Sequence, residues 1–399
     1  MSNERLRVAY ILLGAPGYSE TFISAEVHAV RAAGVEVELF AIRKGDGGSR
    51  LAQAALVSCA LVRRPLKVFT HAFGLGPSYG ARAFLAGASA VSLLRDIATF
   101  DPDVVHAHFV NLPTAVAVLT ADDLGKPATA TAHAADFMLE RKPGALERRI
   151  RRLDHLFAVS AAAFRQLNDR GVSMSEVPHS IVRASFDGVF GATAGLGETA
   201  GLGETAGRCA DGPIRLVTVA RLVEKKGVDT ALDAVSLLVA DGLDIRYDIY
   251  GDGPLSKALA ARTRLNGISS VVTFHGAVPH LEAMRALDAC DVALLPCRRS
   301  ANGDLDGIPV FLMEAGARGV PVVTIPVSGV TELVDHTCGW LVPPIDPEAA
   351  ADAIRNVIRS PEEAALRASA LRCRIRSEFS PELQATRLID TWRRLADST

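Results

Sequence analysis

Short, nearly unbroken apolar runs recur along this chain, separated by stretches whose apolar positions return every three or four residues. In the first half the runs fall at the opening Arg5-Leu-Arg-Val-Ala-Tyr-Ile-Leu-Leu-Gly-Ala, then at Val35–Ile42, Val104–His108, Ala128–Thr131 and Leu156–Ser160. They resume at Ile214–Ala220, Arg246–Tyr250, Val271–Phe274, Val292–Pro296, Pro321–Ile325 and Gly339–Val342. Runs of this length suit strands buried on both faces of a parallel sheet. Helical spacing between them, as at Phe22–Ala33, Asp229–Ala240, Leu255–Leu265, His280–Ala289 and Val310–Arg318, completes a β-α-β alternation. That alternation predicts an α/β protein with doubly wound sheets.

A low-complexity insert separates the two blocks: Ala194-Gly-Leu-Gly-Glu-Thr repeats from Ala200 and runs on to Gly207. Glycine at that density, with little to bury, reads as a linker. The expected organisation is a first domain at 1–190, a linker at 191–212, a second domain at 213–378 and a terminal segment at 379–399. Pro381 to Ala396 in that segment carries apolar residues at helical spacing.

Length agrees, because 399 residues suit two domains of about 190. With 49% hydrophobic and 22% charged residues, both cores can be filled and global disorder is excluded. A net charge of −2 gives no electrostatic case for nucleic acid. Six cysteines without a C-x-x-C pair suit reduced thiols, so the expected compartment is the cytoplasm. No apolar run reads as long enough for a membrane span. The basic, then apolar, opening imitates a signal peptide, but the β-α-β pattern that continues from it favours a first strand.

Candidate chemistry concentrates at Asp306-Gly-Ile-Pro-Val-Phe-Leu-Met-Glu314. Two acids stand eight positions apart, with Gly307, Ile308, Pro309 and Val310 entering a helix between them. Proline suits a first helical turn, and a helix N-terminus attracts phosphate. Glu314, further along the helix, can accept hydrogen bonds from a diol. Arg221 closes the 214–220 run and Lys226 follows in the same loop; cations at the carboxyl end of a parallel strand sit where such sheets bind ligands. Gly251-Asp-Gly-Pro254 and Phe274-His-Gly-Ala-Val278 end two further runs, and Gly251 permits a tight turn or close approach of a ligand.

Together these residues resemble the retaining GT-B glycosyltransferases of family 4. The 306–314 segment is similar to that family's E-x7-E motif, with Asp306 in place of the first Glu, and Arg221 and Lys226 match its R-x4-K diphosphate clamp. The resemblance implies two Rossmann-like domains facing a cleft, with the terminal helix crossing back to the first domain. It implies a nucleoside diphosphate sugar, expected to be UDP-linked, as co-substrate, with no metal and no other cofactor. It assigns diphosphate to Arg221, Lys226 and the 307–310 backbone, ribose to Glu314, donor sugar to Asp306, and nucleotide to Gly251 and Val278. In Thr131-Ala-His133-Ala-Ala-Asp136 it places His133 by the donor sugar and Asp136 as an acceptor contact or loop support. Gly17, Tyr18, Ser19, Glu20 and His108 complete the expected acceptor side, unless Ser19 simply caps the helix that follows. Ser19-Glu-Thr-Phe22, Glu26 and the Gly-Val-Glu-Val run resemble the colanic-acid and exopolysaccharide subgroup. The acceptor is then a hydroxyl of a glycan, a lipid-linked glycan or a secondary metabolite. The usual Asn-Gly-Val-Asp near the domain junction is replaced by His179-Ser-Ile-Val182.

The basic run Leu146-Glu-Arg-Arg-Ile-Arg-Arg-Leu-Asp154 reads as a solvated helix face, or as contact with the inner face of a membrane. Three rival functions are weighed. A dehydrogenase requires G-x-G-x-x-G after the first strand, and Gly14-Ala-Pro-Gly-Tyr-Ser lacks that spacing. A zinc hydrolase built on His106, His108 and His133 leaves Arg221, Lys226 and Glu314 without a role. A catalytically weak nucleotide-sugar binder is consistent with the shortened acid at 306.

Overall fold

The computed structural model describes residues 5–14, 21–42, 50–76, 79–138, 140, 143–184, 186 and 212–398. Gly17, Tyr18, Ser19, Glu20 and the 194–207 repeat lie outside the described residues. The chain divides into two compact units, Met1–Ser185 with Pro381–Thr399, and Phe186–Ser380.

The first unit runs β1 (Arg7–Leu12), α1 (Thr21–Ala32), β2 (Glu36–Ala41), α2 (Arg50–Arg63), α3 (Pro65–Leu75), α4 (Arg82–Phe100) and β3 (Val104–His108). It continues through α5 (Leu112–Leu124), β4 (Ala128–Ala132), α6 (Ala134–Met138), α7 (Pro143–Ile150), β5 (His155–Ala158), α8 (Ala161–Asp169) and β6 (His179–Ile181). Its strands form one parallel sheet in the order β2-β1-β3-β4-β5-β6. β3 and β4 are buried along their whole length, as strands covered on both faces must be. The departure at His179–Val182 is therefore built into the sheet as its last strand, with Phe157 paired to Ser180.

One reading of the sequence is corrected here. α4 is long and apolar enough to cross a membrane by length and composition, although no run was read as such. In this fold its apolar positions, among them Ala86, Ala90, Leu93 and Ile97, are core, and α4 packs against α2, α3 and α5. Gly87 allows the closeness, since a Cβ there would stand 3.0 Å from the Val68 carbonyl oxygen.

The second unit runs β7 (Ile214–Val219), α9 (Val228–Ala240), β8 (Ile245–Tyr250), α10 (Ser256–Leu265), β9 (Val272–Gly276), α11 (His280–Asp288) and β10 (Val292–Leu295). Then follow α12 (Val310–Ala317), β11 (Val322–Thr324), α13 (Val330–Leu333), β12 (Trp340–Leu341), α14 (Pro347–Arg359) and α15 (Pro361–Glu378). Its parallel sheet has the order β12-β11-β10-β7-β8-β9. In both sheets the order reverses next to the first strand, between β1 and β3 and between β7 and β10. Crevices at such reversals are where open α/β sheets take ligands.

The last helix, α16 (Pro381–Ala396), which the apolar spacing predicts, returns to the first unit, as the family resemblance implies. Leu388, Ile389 and Trp392 join Tyr10, Val27, Val104 and Phe157 in one buried cluster. The Trp392 indole donates to Thr129 Oγ1 at 3.1 Å and meets the rings of Tyr10, His106 and Phe157 edge-on. A buried aromatic with its N–H satisfied contributes much to a core. Trp392→Ala is expected to cost the first unit about 3–5 kcal/mol, read from urea unfolding. A loss below about 1 kcal/mol would show that α16 is not part of this core.

Candidate functional site

In the second unit, loops from four adjacent strands meet at the carboxyl edge of the sheet. Residues 220–227 follow β7, and the Lys225 carbonyl accepts from Arg298 N at 2.8 Å, in the loop that follows β10. Gly227 (φ +64°) makes this approach possible, because a Cβ there would lie 1.8 Å from the Pro296 carbonyl oxygen. Gly251 (φ +127°) does the same between β8 and β7, where a Cβ would reach 2.0 Å from Ala220 O. Gly251 N also donates to Gly276 O at the end of β9, at 2.7 Å. Gly251 is thus needed where loops cross, and Val278 stands half-buried beyond β9.

Charge is concentrated at the β7/β10 reversal. Lys226 Nζ lies 2.6 Å from Asp306 Oδ2, and Lys225 Nζ lies 3.2 Å from Asp306 Oδ1 and 3.1 Å from Asp304 Oδ2. Burial would raise the Asp306 carboxyl, but Lys226 and Lys225 outweigh it and hold it below its usual range. Burial would lower the Lys226 ammonium, and Asp306 outweighs that in turn and holds it above the usual lysine value. The Cys297 thiol, 3.6 Å from Asp306 Oδ2, is pushed up by burial and by that carboxylate. Asp306, expected at a sugar, is thus engaged by two ammonium groups. Lys225, which the sequence reading passed over, is its second partner; the doubled Lys-Lys after a strand was the available signal. Arg221 is exposed, with no ion pair or side-chain hydrogen bond among the described residues.

α12 begins at Val310 with Pro309 as its N-cap, one position earlier than the first-turn place expected for it, and no side chain caps the first turn. Gly307 and Ile308 lead into it. Glu314 is 4% exposed on this helix, and His280 Nε2 lies 3.4 Å from its Oε1. His280, at the start of α11, also escaped the sequence reading.

In the first unit, a buried chain of polar groups crosses the β1/β3 reversal. The Tyr10 hydroxyl donates to Glu26 Oε1 at 2.9 Å, and His108 Nε2 lies 3.1 Å from the same oxygen. His108 Nδ1 is 3.1 Å from His133 Nε2. A carboxylate only accepts, so His108 Nε2 carries the proton toward Glu26, and in the neutral ring His108 Nδ1 accepts. His133 must then donate from Nε2, which leaves its Nδ1 as a lone-pair acceptor. Burial, then His108, holds the His133 ring well below the usual imidazole range, so it is neutral. Phe22 and Phe109 pack on it at 4.7 and 4.8 Å between ring centroids.

One acceptor-side expectation is corrected, and one open alternative is decided. His108 is fully buried with both nitrogens bonded, so it fixes His133 and cannot itself touch an acceptor. Asp136 is a loop support: its Oδ2 accepts from Val110 N at 2.5 Å and His133 N at 3.2 Å. Glu26 is the residue that was missed. Its signal was an acid on the buried α1 stripe of Ile23, Val27 and Val30.

The zinc reading loses its geometry. Glu26, His106 and His108 do place donor atoms within 4.8 Å of one another. His106, however, is bonded at both nitrogens, to Thr129 at 2.8 Å and Thr131 at 3.2 Å, so its ligand atoms are already committed to hydroxyls. The basic run is also reduced as a free face, for Arg149 pairs with Glu140, Arg151 with Glu147 and Glu176, and Arg152 with Asp122. Arg148 stays exposed and, among the described residues, unpaired.

Two doubly wound parallel sheets, one followed by a lysine–aspartate cluster and an acid-bearing helix, define the GT-B class. Residues 19–179 match the model described as Glycosyltransferase Family 4, and residues 213–360 the one described as Glycosyl transferases group 1. Over 185 residues the chain is 36% identical to the amylovoran biosynthesis glycosyltransferase AmsK of Erwinia amylovora, covering 46% of each. Over 143 residues it is 43% identical to the Escherichia coli K12 protein named for colanic acid biosynthesis, WcaL, covering 36% of this chain and 35% of that one. Each match spans less than half of the relative's length. The crystal structure of Anabaena HepE in complex with UDP and glucose shares the fold, with a TM-score of 0.70 at 16% identity over 98% of this chain and 100% of that one. This chain belongs to the family 4, group 1 glycosyltransferases.

Asp136 carries a pH signature. Burial pushes its carboxyl up to about 7, and Oδ1 has no hydrogen-bond partner among the described residues. Between about pH 4, where an ordinary carboxyl titrates, and about pH 7 the native state keeps a proton that the unfolded chain has lost. Stability from this group therefore falls as pH rises through that window. Asp136→Asn is expected to abolish a decline on the order of a few kcal/mol, read by comparing urea midpoints at pH 5 and pH 8. An unchanged pH dependence would dismiss the raised carboxyl.

Proposed function

We propose that this protein is a retaining, metal-independent glycosyltransferase that moves a sugar from a UDP-linked donor to a hydroxyl of an exopolysaccharide or lipid-linked glycan acceptor. The observation that carries the reading is the convergence, at the β7/β10 reversal, of Lys226, Asp306 and the N-terminus of the helix bearing Glu314.

The second unit holds the donor. Arg221, with no partner of its own among the described residues, takes one face of the diphosphate with its planar fork. Lys226 adds a point charge, and the first turn of α12 adds backbone N–H groups and the positive end of its dipole. Positive groups fixed in place stabilise the charge that grows on the leaving diphosphate. Asp306 keeps Lys225 and Lys226 desolvated and oriented while no anion is bound. An arriving diphosphate competes for Lys226 and leaves a carboxylate edge for the donor sugar. Glu314, braced near His280, accepts from the ribose hydroxyls. On the first unit His133 offers the lone pair of Nδ1 to a sugar hydroxyl, an interaction that its fixed tautomer makes directional. The names of the exopolysaccharide relatives and the UDP of the HepE complex support the substrate class.

Glu314→Ala and Arg221→Ala are each expected to lower transfer from UDP-sugar by about a hundredfold or more, with the thermal unfolding midpoint in the absence of ligand little changed. Wild-type turnover in either variant would reject the reading.

A further inference from the structure

α3 carries apolar residues on two faces. Val68, Ala72 and Leu75 are buried, and α3 packs on α4 beside Gly87. The opposite face lies largely outside the core, its one ring contact being Phe69 edge-on to Phe84 of α4 at 5.5 Å. Leu66 is 77% exposed, Phe69 43% and Phe73 78%, and Val62, at the end of α2, is 83% exposed. Positions 66, 69 and 73 are spaced i, i+3 and i+7, so they form one stripe about 10 Å long. Large apolar side chains gathered in this way mark a surface that meets something.

The charge around the stripe says what. No Asp or Glu occurs between Asp46 and Asp96, whereas Arg50, Arg63, Arg64, Lys67, Arg82 and Arg95 do. Arg63 and Arg64 are exposed beside Leu66. At the other end, Arg148 stands against Gly76, where a Cβ would meet its guanidinium, and it has no ion-pair partner among the described residues. Lys67 and His71 are drawn toward Asp123, at 3.0 and 3.1 Å, on the side that faces the core. An apolar stripe flanked by unpaired arginines, on two helices that themselves carry no carboxylate, is complementary to anionic lipid, with Asp122 and Asp123 beside α3 already held by Arg152 and Lys67: the side chains enter the headgroup boundary and the guanidinium groups pair with phosphate.

We infer that the α2–α3 hairpin docks this protein on an anionic bilayer, with Val62, Leu66, Phe69 and Phe73 inserted and Arg63, Arg64 and Arg148 on the headgroups. This surface lies wholly within the first unit and does not depend on the transferase reading.

The full chain would be mixed with vesicles of phosphatidylcholine alone, or with about one third phosphatidylglycerol, and the bound fraction measured by flotation. Binding to the anionic vesicles only, weakened by salt, is expected. Leu66→Ser with Phe73→Ser should reduce it by about tenfold or more for each buried side chain lost. Arg63→Ser with Arg64→Ser should reduce it by about fivefold per charge. All four sites are exposed, and unchanged unfolding midpoints would confirm that the variants fold. Phe73→Trp supplies a readout that needs no loss: its emission should shift to the blue when anionic vesicles are added. Absence of binding at low salt, or binding that the serine variants leave unchanged, would overturn the inference. So would a lipid-free dimer that Leu66→Ser with Phe73→Ser dissociates, because the stripe would then be covered by a second copy.

Discussion

The contact between Lys226 and Asp306 organises the candidate donor site. It joins the loop after β7 to the loop after β10, the two strands where the sheet order reverses. Parallel strands all deliver their carboxyl ends to one edge, so polar loops accumulate there and apolar residues fill the sheet below. An ion pair this largely withdrawn from water is costly to form, and removing one partner strands the other. Geometry and charge therefore maintain each other. Gly227 permits the approach, Lys225 doubles the positive charge, and Asp304 with Asp306 balances it.

The first unit solves a different problem by related means. A neutral histidine that accepts at one nitrogen needs its other nitrogen protonated and held. Tyr10, Glu26 and His108 impose that order from inside the core, passing one proton preference along a chain of hydrogen bonds to His133. Glu26 is the fixed point, being an acceptor in every arrangement. Burial alone would raise its carboxyl; the His108 ring N–H and the Tyr10 hydroxyl, which both donate to it, bring it below the usual range. Asp136 then fastens the two loop backbones, at Val110 and His133, that carry the ring. Under this unit's helices, α16 closes the core through Trp392, so the chain's last helix stabilises strands laid down near its start.

Much of this was legible beforehand for a simple reason. Buried parallel strands are continuous apolar runs, and the positions of β3, β4, β7, β8 and β10 follow from that pattern within one or two residues. The 306–314 segment was legible because acids, glycine, proline and an apolar run in that order leave few structural options. The stretch from 50 to 100 was harder, since α2, α3 and α4 are apolar on more than one side and show no clean periodicity. The partners of the basic run at 146–154 were not legible because sequence distance hides them: Asp122, Glu140 and Glu176 come from other elements.

The sequence by itself determined the two parallel sheets, the existence of the last helix and the residue types at the strand ends, because burial periodicity and turn chemistry are local. Tertiary structure alone decided which charges meet. It turned Asp306 toward two lysines, withdrew His108 from solvent into a relay, and left Leu66 and Phe73 outside a core they could equally have joined. Pairing and burial depend on what other segments bring to the same place, and no spacing along a chain encodes that directly.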